Sequence, residues 1–320
     1  MSLYRNAAWL IKGFREYTKG GYQSASKNFN PQDLDVDISK RSFMITGANS
    51  GVGKAAALAL AKKGGTVHIV CRNKDKGETA LKEIQDESGN QKVHLHLLDL
   101  SKPRDIKAFC QDFKSSGHSL NVLVNNAGVL VGGDKRQLTD DGLEVTFATN
   151  TLGVHILTQE LLSVLESSDN PRVIIVSSGG MLVQKLDLSD LQFEKMTKYD
   201  GTLAYAQTKR QEVIMTSVYA KAHSKIHFSS MHPGWAATPG VQSSLPDFYN
   251  RMKDRLRSED EAADTILWLA IAEAAGKLES GLFYQDRKPV PTHLPLAWTK
   301  SSPEEDRKLV EKLDEIASKF

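Results

Sequence analysis

The fold of this chain is decided by one glycine-rich stretch, Gly47-Ala48-Asn49-Ser50-Gly51-Val52-Gly53. A short apolar segment precedes it at residues 42–46, and an alanine- and leucine-rich segment follows it at residues 54–63, which predicts a turn between a strand and a helix. Glycine permits the tight dihedral angles of such a turn and lets the backbone approach a diphosphate closely. The N-terminus of the following helix offers free N–H groups and a partial positive charge. The stretch is no Walker A loop, because Ala55 follows Lys54 where Ser or Thr is required.

Strand and helix patterns alternate along the rest of the chain. Strands are predicted at residues 42–46, 66–71, 93–98, 122–124, 173–176, 226–230 and 281–284. This alternation indicates an α/β fold with a doubly wound parallel sheet of the Rossmann type and helices on both faces. Ligands of such sheets bind beyond the carboxyl ends of the strands. Nearly all the unusual polar residues follow directly after a predicted strand, so we expect the site at that edge.

Composition narrows the functional classes. The 320 residues suffice for one large α/β domain with a deep core. With 41 basic and 39 acidic residues the net charge is +2, which gives no argument for binding nucleic acid. Two cysteines cannot build a disulfide framework, and no Cys/His cluster has metal-binding spacing. We therefore expect no metal, and an intracellular, reducing compartment, either cytoplasmic or peripheral to a membrane.

Three parts are predicted along the chain: residues 1–40, a Rossmann-type domain at residues 41–290, and a tail at residues 291–320. The first part carries an amphipathic helix. Its apolar stripe is formed by Leu3, Ala7, Leu10, Ile11 and Phe14, and its cations lie away from that stripe. Such a helix can lie on a membrane surface through residues 3–19, or it can pack against the domain. Gly20-Gly21 is predicted to end the helix, and residues 23–40 to form a polar connector.

The tail contains a second helical pattern. Ser302 and Pro303 precede three acidic residues, which is a helix-start signal. Apolar residues then recur at helical spacing through Ile316. This helix either packs on its own domain or contacts a second subunit in a homodimer, and the sequence does not separate the two.

A tyrosine and a lysine stand four residues apart in Tyr205-Ala206-Gln207-Thr208-Lys209. The run from Tyr205 to Ala222 lacks Gly and Pro and is predicted to be helical, which places the two side chains on one face. A phenol has a pKa near ~10, and a neighbouring ammonium favours its ionised form. The pair could therefore move a proton to or from a carbonyl oxygen. Taken alone, the same spacing also occurs on ordinary solvated helices.

Several motifs occur in the order of a known family. They are residues 46–53 (TGANSGVG), Asp99, residues 125–128 (NNAG), Asn150, Ser178, Tyr205 with Lys209, and Pro233-Gly234. In these motifs, residues 40–285 resemble the short-chain dehydrogenase/reductase superfamily. A more distant likeness to its retinol-reductase-like members lies in Cys71-Arg72-Asn73 and in the long interval from Ser178 to Tyr205.

The resemblance implies a set of catalytic residues: Asn150, Ser178, Tyr205 and Lys209. Tyr205 would exchange a proton with the substrate oxygen, and Lys209 would lower the pKa of the phenol and hold the nicotinamide ribose. Ser178 would hydrogen-bond the reacting oxygen, with Ser177 as the competing candidate. Asn150 would carry a water that links Lys209 to solvent, unless it is an ordinary helix-capping or loop asparagine.

The resemblance also implies a set of cofactor-binding residues. They are Gly47, Asn49, Ser50, Gly51, Val52, Gly53, Arg72, Asp99, Asn126, Gly128, Tyr205, Lys209 and Thr238. Within this set Asn126 and Gly128 would line the pocket and Thr238 would meet the carboxamide. Asp99 would accept a hydrogen bond from the adenine amine, although it also stands where it could cap a helix opening at Ser101.

Arg72 indicates which dinucleotide is bound. A carboxylate at the end of the second strand would bind a ribose 2′-hydroxyl and repel a 2′-phosphate. Here Arg72 occupies that place and Lys74 is a second cation nearby, so NADP(H) is favoured over NAD(H). A solvated arginine after a strand is the alternative interpretation.

Two apolar segments surround the expected substrate position. Residues 186–200 lengthen the interval before Tyr205, and they could wall a large pocket or form a surface loop with its own small core. Residues 236–256 lie where a lid would order over substrate. We expect an oxidoreductase that interconverts an alcohol and a carbonyl on a lipophilic substrate. A cofactor-binding scaffold or sensor is the second hypothesis, and an epimerase or lyase on the same fold is the third.

Overall fold

A computed structural model describes residues 2–320 and centres on one eight-stranded sheet of order β3-β2-β1-β4-β5-β6-β7-β8. The strands are β1 (Ser42–Thr46), β2 (Thr66–Cys71), β3 (Val93–Leu97), β4 (Val122–Asn125), β5 (Arg172–Val176), β6 (His227–Met231), β7 (Leu282–Gln285) and β8 (Lys288–Pro289). Neighbouring strands are parallel from β3 to β7, and β8 runs antiparallel to β7. The predicted doubly wound sheet is confirmed. Only β8, two residues long, was not predicted.

Helices connect the strands and cover both faces of the sheet. They are α1 (Ser2–Lys12), α2 (Lys19–Ser26), α3 (Gly51–Lys62), α4 (Lys74–Ser88), α5 (Pro103–Ser115), α6 (Val145–Phe147), α7 (Gly153–Glu166), α8 (Gly201–Ala222), α9 (Pro239–Ser244), α10 (Pro246–Met252), α11 (Glu259–Ile271), α12 (Glu273–Gly276) and α13 (Pro303–Ala317). One core packs α3, α4 and α11 on the sheet, and the other packs α5, α7, α8 and α13 on the opposite face. Because helices cover both faces of the sheet, β1 and β5 are buried at every position. Strands buried in this way are typically continuous apolar runs.

The N-terminal helix packs through a face that the sequence did not indicate. Leu3, Leu10, Ile11 and Phe14 of the predicted apolar stripe are exposed, by 84%, 44%, 70% and 45%. The opposite face of α1 carries Trp9, which packs against the domain. The helix therefore packs on the domain, one of the two predicted alternatives, while most of the predicted stripe stays exposed.

The chain after α1 also departs from the prediction. A π-turn at Gly13–Tyr17 follows α1, and α2 then includes Gly20 and Gly21, so the glycines do not end the helical region. Gly21 is required because a Cβ there would lie 2.4 Å from the carbonyl oxygen of Glu16. Part of the predicted connector is thus helical, in α2 and in a 3-10 turn at Pro31–Leu34. No helix within residues 2–320 has both the length and the hydropathy that a membrane crossing needs.

Two segments left open by the sequence pack on the core. Leu309 and Leu313 of α13 are buried in the same cluster as the apolar residues of α8, so the C-terminal helix packs on its own chain. In the interval before Tyr205, Leu186, Leu191 and Phe193 join that cluster as well. Residues 186–200 therefore mainly extend the core, and Asp200 at their end lines the cleft described next.

Candidate active site

A cleft of about 1300 Å³ opens at the carboxyl ends of β1 and β4, where the strand order changes direction. This is the edge that the sequence predicted. The residues of the predicted sites that line the cleft are Gly47, Asn49, Ser50, Gly51, Val52, Gly53, Arg72, Asp99, Asn126, Gly128, Ser178, Tyr205, Lys209 and Thr238. Asn150 lies behind the lining, fully buried.

The glycine turn places the N-terminus of α3 at the cleft. Gly47 and Gly51 have φ angles of 67° and 61°, in the left-handed region that favours glycine. Ser50 is the N-cap residue of α3, yet its side chain makes no capping hydrogen bond. The first N–H groups of this helix therefore have no side-chain acceptor and are available to an anion.

The end of β4 braces this turn. The side-chain amide of Asn126 donates to the carbonyl oxygen of Thr46 at 2.9 Å, and its backbone N–H donates to the hydroxyl of Thr46 at 3.0 Å. A Cβ on Gly53 would lie 2.4 Å from the same amide nitrogen. Asn126 thus holds the turn in place in addition to lining the cleft.

The cations near the end of β2 are arranged differently from the prediction. Arg72 is exposed and lines the cleft, as expected. Lys74 points to Glu78 on α4, 3.8 Å away, and is not part of the lining, whereas Lys76 is. The second cation at this end of the cleft is therefore Lys76. The sequence had indicated Lys74, because Lys74 is closer to Arg72 along the chain.

Asp99 lines the cleft and also makes a local contact in the turn after β3, but the N-cap residue of the next helix is Lys102. Its Oδ1 accepts hydrogen bonds from the N–H and the hydroxyl of Ser101, at 2.9 and 2.8 Å. The helix that follows begins at Pro103, later than predicted. Asp99 therefore orders the turn before α5 while its carboxylate borders the cleft.

The two serines after β5 have separate roles. The hydroxyl of Ser177 donates to the carbonyl oxygen of Lys209 at 2.8 Å and is buried in that contact. Ser178 lines the cleft, accepts from the N–H of Gly180 at 3.2 Å and hydrogen-bonds Tyr205. The geometry therefore favours Ser178 over Ser177 as the serine that meets a ligand.

Tyr205 and Lys209 lie one turn apart on α8, and the ammonium of Lys209 is 5.5 Å from the phenol ring centre. Burial raises the pKa of Tyr205, and Glu212 raises it further, while Lys209 and the Ser178 hydrogen bond lower it. Lys209 thus acts in the predicted direction, but in this structure burial outweighs it. The motif Tyr205-x-x-x-Lys209 alone reveals neither the desolvation of the phenol nor the charge of Glu212.

Lys209 itself is held by two partners. Its ammonium donates to the carbonyl oxygen of Val176 at 2.9 Å and to Oε1 of Glu212 at 2.7 Å. Burial alone would lower the pKa of Lys209, but Glu212 and Tyr205 more than offset it, so the pKa is raised overall. Glu212 was not predicted from the sequence, because an acid three residues from a lysine on a helix usually forms a solvated pair with it.

Asn150 lies in a π-turn at Ala148–Leu152, between α6 and α7. Its Oδ1 accepts from the N–H of Val129 at 2.8 Å, and its amide donates to the carbonyl oxygen of Val129 and to the hydroxyl of Thr208. It is therefore neither a helix cap nor a loop asparagine. π-turns inside helices are frequent at functional sites.

Further cleft residues come from segments with no motif. Trp9 and Asn6 of α1 line it, as do Trp235, directly before the predicted lid segment, and Phe248 within it. His232 also lines it and is buried, and neither ring nitrogen has a hydrogen-bond partner within residues 2–320. Thr238 caps α9 and approaches the glycine turn, since a Cβ on Gly51 would lie 3.3 Å from its methyl group.

Comparisons with known proteins agree with this geometry. A family model described as short chain dehydrogenase matches residues 41–189. Dehydrogenase/reductase SDR family member 12 of Bos taurus is 59% identical over 320 residues, which is 100% of both chains. Retinol dehydrogenase 11 of Mus musculus is 34% identical over 261 residues, which is 79% of each chain. A solved short chain dehydrogenase from Shigella flexneri, complexed with NADP, has a TM-score of 0.63 and 23% identity over 80% of this chain and 100% of that one, which shows a shared fold.

Proposed function

Because this chain belongs to the short-chain dehydrogenase/reductase family of oxidoreductases, we propose that it interconverts an alcohol and a carbonyl on a lipophilic substrate with NADP(H). The observation that carries the proposal is that Tyr205, Lys209 and Ser178 open into the same cleft as the glycine turn.

The cleft has the features that an NADP(H) molecule requires. The uncapped N-terminus of α3 suits a diphosphate, and Gly47 and Gly51 supply the turn that brings the backbone close to it. Arg72 and Lys76 border the cleft where the family's NAD-binding members would need an acid, and a guanidinium pairs well with a 2′-phosphate. The NADP found in the Shigella flexneri protein is consistent with this assignment.

The chemistry is divided between the cofactor and the side chains. NADP(H), when bound, supplies or accepts the hydride. In the reducing direction Tyr205 donates a proton to the carbonyl oxygen, and Ser178 donates a hydrogen bond to the same oxygen while negative charge develops on it. Lys209 stabilises the phenolate that Tyr205 leaves behind, and in alcohol oxidation Tyr205 takes the proton back.

The lining of the cleft favours a lipophilic substrate. Apolar side chains reach it from α1, from the loop after β4, from α8 and from the lid: Trp9, Val131, Leu203, Leu245 and Phe248. Apolar walls with a few convergent polar groups are typical of sites for lipophilic ligands. The name of the mouse relative, retinol dehydrogenase 11, is that of an enzyme for a lipophilic alcohol.

The exposed face of α1 supports a second part of the proposal, reversible attachment to a membrane surface. In the segment before α13, Leu296 and Trp298 are likewise exposed, by 76% and 72%. The two segments touch, since the Tyr4 hydroxyl donates to the carbonyl oxygen of Pro295 at 2.8 Å. We call Leu3, Leu10, Ile11, Phe14, Leu296 and Trp298 the outer apolar face.

Two features favour a lipid surface as the partner of the outer apolar face. Leu296 and Trp298 have φ angles of 56° and 52°, a strained conformation that costs free energy and still leaves both side chains in solvent. Trp9, on the other side of α1, lines the cleft. Attachment through the outer apolar face would therefore bring the cleft close to the source of a lipophilic substrate.

The proposed activity is tested by NADPH consumption against a panel of aldehydes, ketones, retinoids and steroids, with Tyr205→Phe beside the parent protein. We expect the parent to consume NADPH with at least one lipophilic carbonyl and the variant to lose most of that rate. A rate that is the same in both proteins would contradict the proposal, and tight NADPH binding without turnover anywhere in the panel would favour the scaffold hypothesis.

A further inference from the structure

A carboxylate lies buried directly behind the lysine of the site. Glu212 follows Lys209 by three residues on α8, and its Oε1 is 2.7 Å from the ammonium. The side chains of Lys209 and Glu212 are only 3% and 1% exposed, which distinguishes them from the solvated helix pairs of the surface. Water therefore does little to screen their interaction, and a charge on one acts strongly on the other.

Among the residues that the structure describes, Lys209 is also the only group that compensates the charge of Glu212. The second oxygen, Oε2, has no hydrogen-bond partner within residues 2–320. Burial raises the pKa of Glu212 to about 7, and the charge and hydrogen bond of Lys209 oppose that rise. The carboxyl group is thus poised to change its protonation state in the neutral range.

We propose that Glu212 is a positioning residue that sets how much of the positive charge of Lys209 acts on Tyr205. This inference rests on the proposed function, in which Tyr205 exchanges the proton. The ammonium of Lys209 lies near two acidic groups, Glu212 and Tyr205. When Glu212 is ionised, it compensates the charge of Lys209, and the phenolate of Tyr205 is disfavoured. When Glu212 holds a proton, Lys209 acts on Tyr205 unopposed and the phenolate is favoured.

Several other titratable groups on the elements around α8 are engaged with other partners. They are Glu144 before α6, His155 on α7, Arg172 on β5, Arg210 and Tyr219 on α8, His227 on β6 and Asp306 on α13. Tyr284 of β7 lies in the core on the opposite face of the sheet, against Trp268. Within residues 2–320, Lys209 is thus the one charge that acts on Glu212.

The inference predicts a shift in the titration of Tyr205 that needs no substrate to measure. The tyrosinate absorption of the NADP(H)-bound protein is titrated, and the same titration of Tyr205→Phe is subtracted to isolate Tyr205. We expect E212Q and E212M, two neutral replacements of similar size, to move this titration to lower pH by on the order of one unit. E212D keeps the charge and should titrate close to the parent.

E144Q is the matched control, because Glu144 is also buried but binds the N–H groups of Thr146 and Phe147 instead of Lys209. E144Q should leave the pH at which Tyr205 titrates unchanged. Once a substrate is in hand, the acid limb of alcohol oxidation should shift to lower pH in E212Q by the same amount, because less alkaline solution then suffices to form the phenolate.

The outcomes separate this inference from the function on which it rests. If Tyr205 titrates at the same pH in E212Q and E212M as in the parent, Glu212 does not tune Tyr205 and the inference is overturned. The same holds if E144Q shifts the titration of Tyr205 as far as E212Q and E212M do. If Tyr205→Phe keeps the turnover of the parent, the proposed function itself fails, whatever Glu212 does.

Discussion

At the scale of single residues, the choice of dinucleotide depends on the end of β2. Arg72 lines the cleft beyond the end of β2, and Lys76 adds a second cation there. We predict that NADPH binds at least ~10-fold more tightly than NADH, which is about 1.4 kcal/mol. R72E should remove or reverse this preference, because a carboxylate repels the 2′-phosphate. Titration of both nucleotides by fluorescence measures the ratio.

Lys74 offers a matched control for that experiment, since it contacts Glu78 and does not line the cleft. K74E should keep the NADPH preference, and K76E should weaken it. Equal affinities for the two nucleotides in the parent protein would show that Arg72 does not select the cofactor.

The raised pKa of Glu212 should also make the free energy of unfolding depend on pH. The pKa of Glu212 is raised from 4.5 to about 7 in the folded protein, so between these values the folded state holds a proton that the unfolded state releases. Glu212 therefore lowers the free energy of unfolding as pH rises through this window. We predict that E212Q gains stability relative to the parent from pH 4.5 to pH 7 in urea unfolding. A difference that is constant with pH would contradict this sign.

Sequence patterns located the motif residues but not the groups that act on them. Tyr205, Lys209, Ser178 and the glycine turn could be placed in one site because each follows a strand or lies on one helix face. Glu212 could not, since whether a charged pair on α8 is solvated or buried depends on what packs against that helix. The exchange of Lys74 for Lys76 has a similar cause, because it depends on the direction in which α4 leaves β2.

At the scale of elements, α1 is the clearest departure from the sequence prediction. Most of its apolar stripe is exposed, whereas the chain directly after α1 packs closely on the domain: a Cβ on Gly13 would lie 2.3 Å from the ring of Trp235. The fit between a helix and the surface of the domain thus decides which face of the helix packs. An amphipathic pattern alone does not reveal that face. Strand positions were predicted within a residue or two because buried parallel strands are continuous apolar runs.

The outer apolar face predicts binding to lipid. We expect the protein to sediment with anionic liposomes, and the double variant L3E/I11E to stay largely in the supernatant, because charged side chains cannot enter the acyl region. Point variants are preferable to removal of residues 1–30, since Tyr17 is buried in the fold. L97E, at a leucine on β3 that is 50% exposed, is the control and should sediment like the parent. If the parent itself stays in the supernatant, the outer apolar face does not bind membranes of this composition.

At the scale of the whole molecule, Arg257 joins distant parts of the chain. Its guanidinium binds both carboxylate oxygens of Asp286, at 2.6 and 3.0 Å, and donates to the carbonyl oxygen of Glu16 at 2.7 Å. It also donates to the carbonyl oxygen of Pro233, beside the cleft. The N-terminal segment, the loop after β6 and the end of β7 are therefore held by one buried side chain.

Loss of the ion pair between Arg257 and Asp286 should lower the free energy of unfolding markedly. D286N removes a partner from an arginine that is 1% exposed, and the loss of one member of a buried pair typically costs about 3–5 kcal/mol. Asn also tolerates the φ of 51° at this position. E160Q breaks the partly exposed pair with Lys114 and should cost less than about 1 kcal/mol. Urea unfolding compares the two, and equal costs would contradict the structural role given to Arg257.

The central claim, that Tyr205 exchanges the proton, is tested most directly by steady-state turnover of Tyr205→Phe beside Tyr219→Phe. Both variants remove one hydroxyl from α8, but the hydroxyl of Tyr219 contacts His155, 2.6 Å away, outside the cleft. We expect kcat of Tyr205→Phe to fall by ~10²–10⁴-fold on a verified substrate while kcat of Tyr219→Phe stays near that of the parent. If Tyr205→Phe turns over as fast as Tyr219→Phe, the proton comes from elsewhere and the account is contradicted.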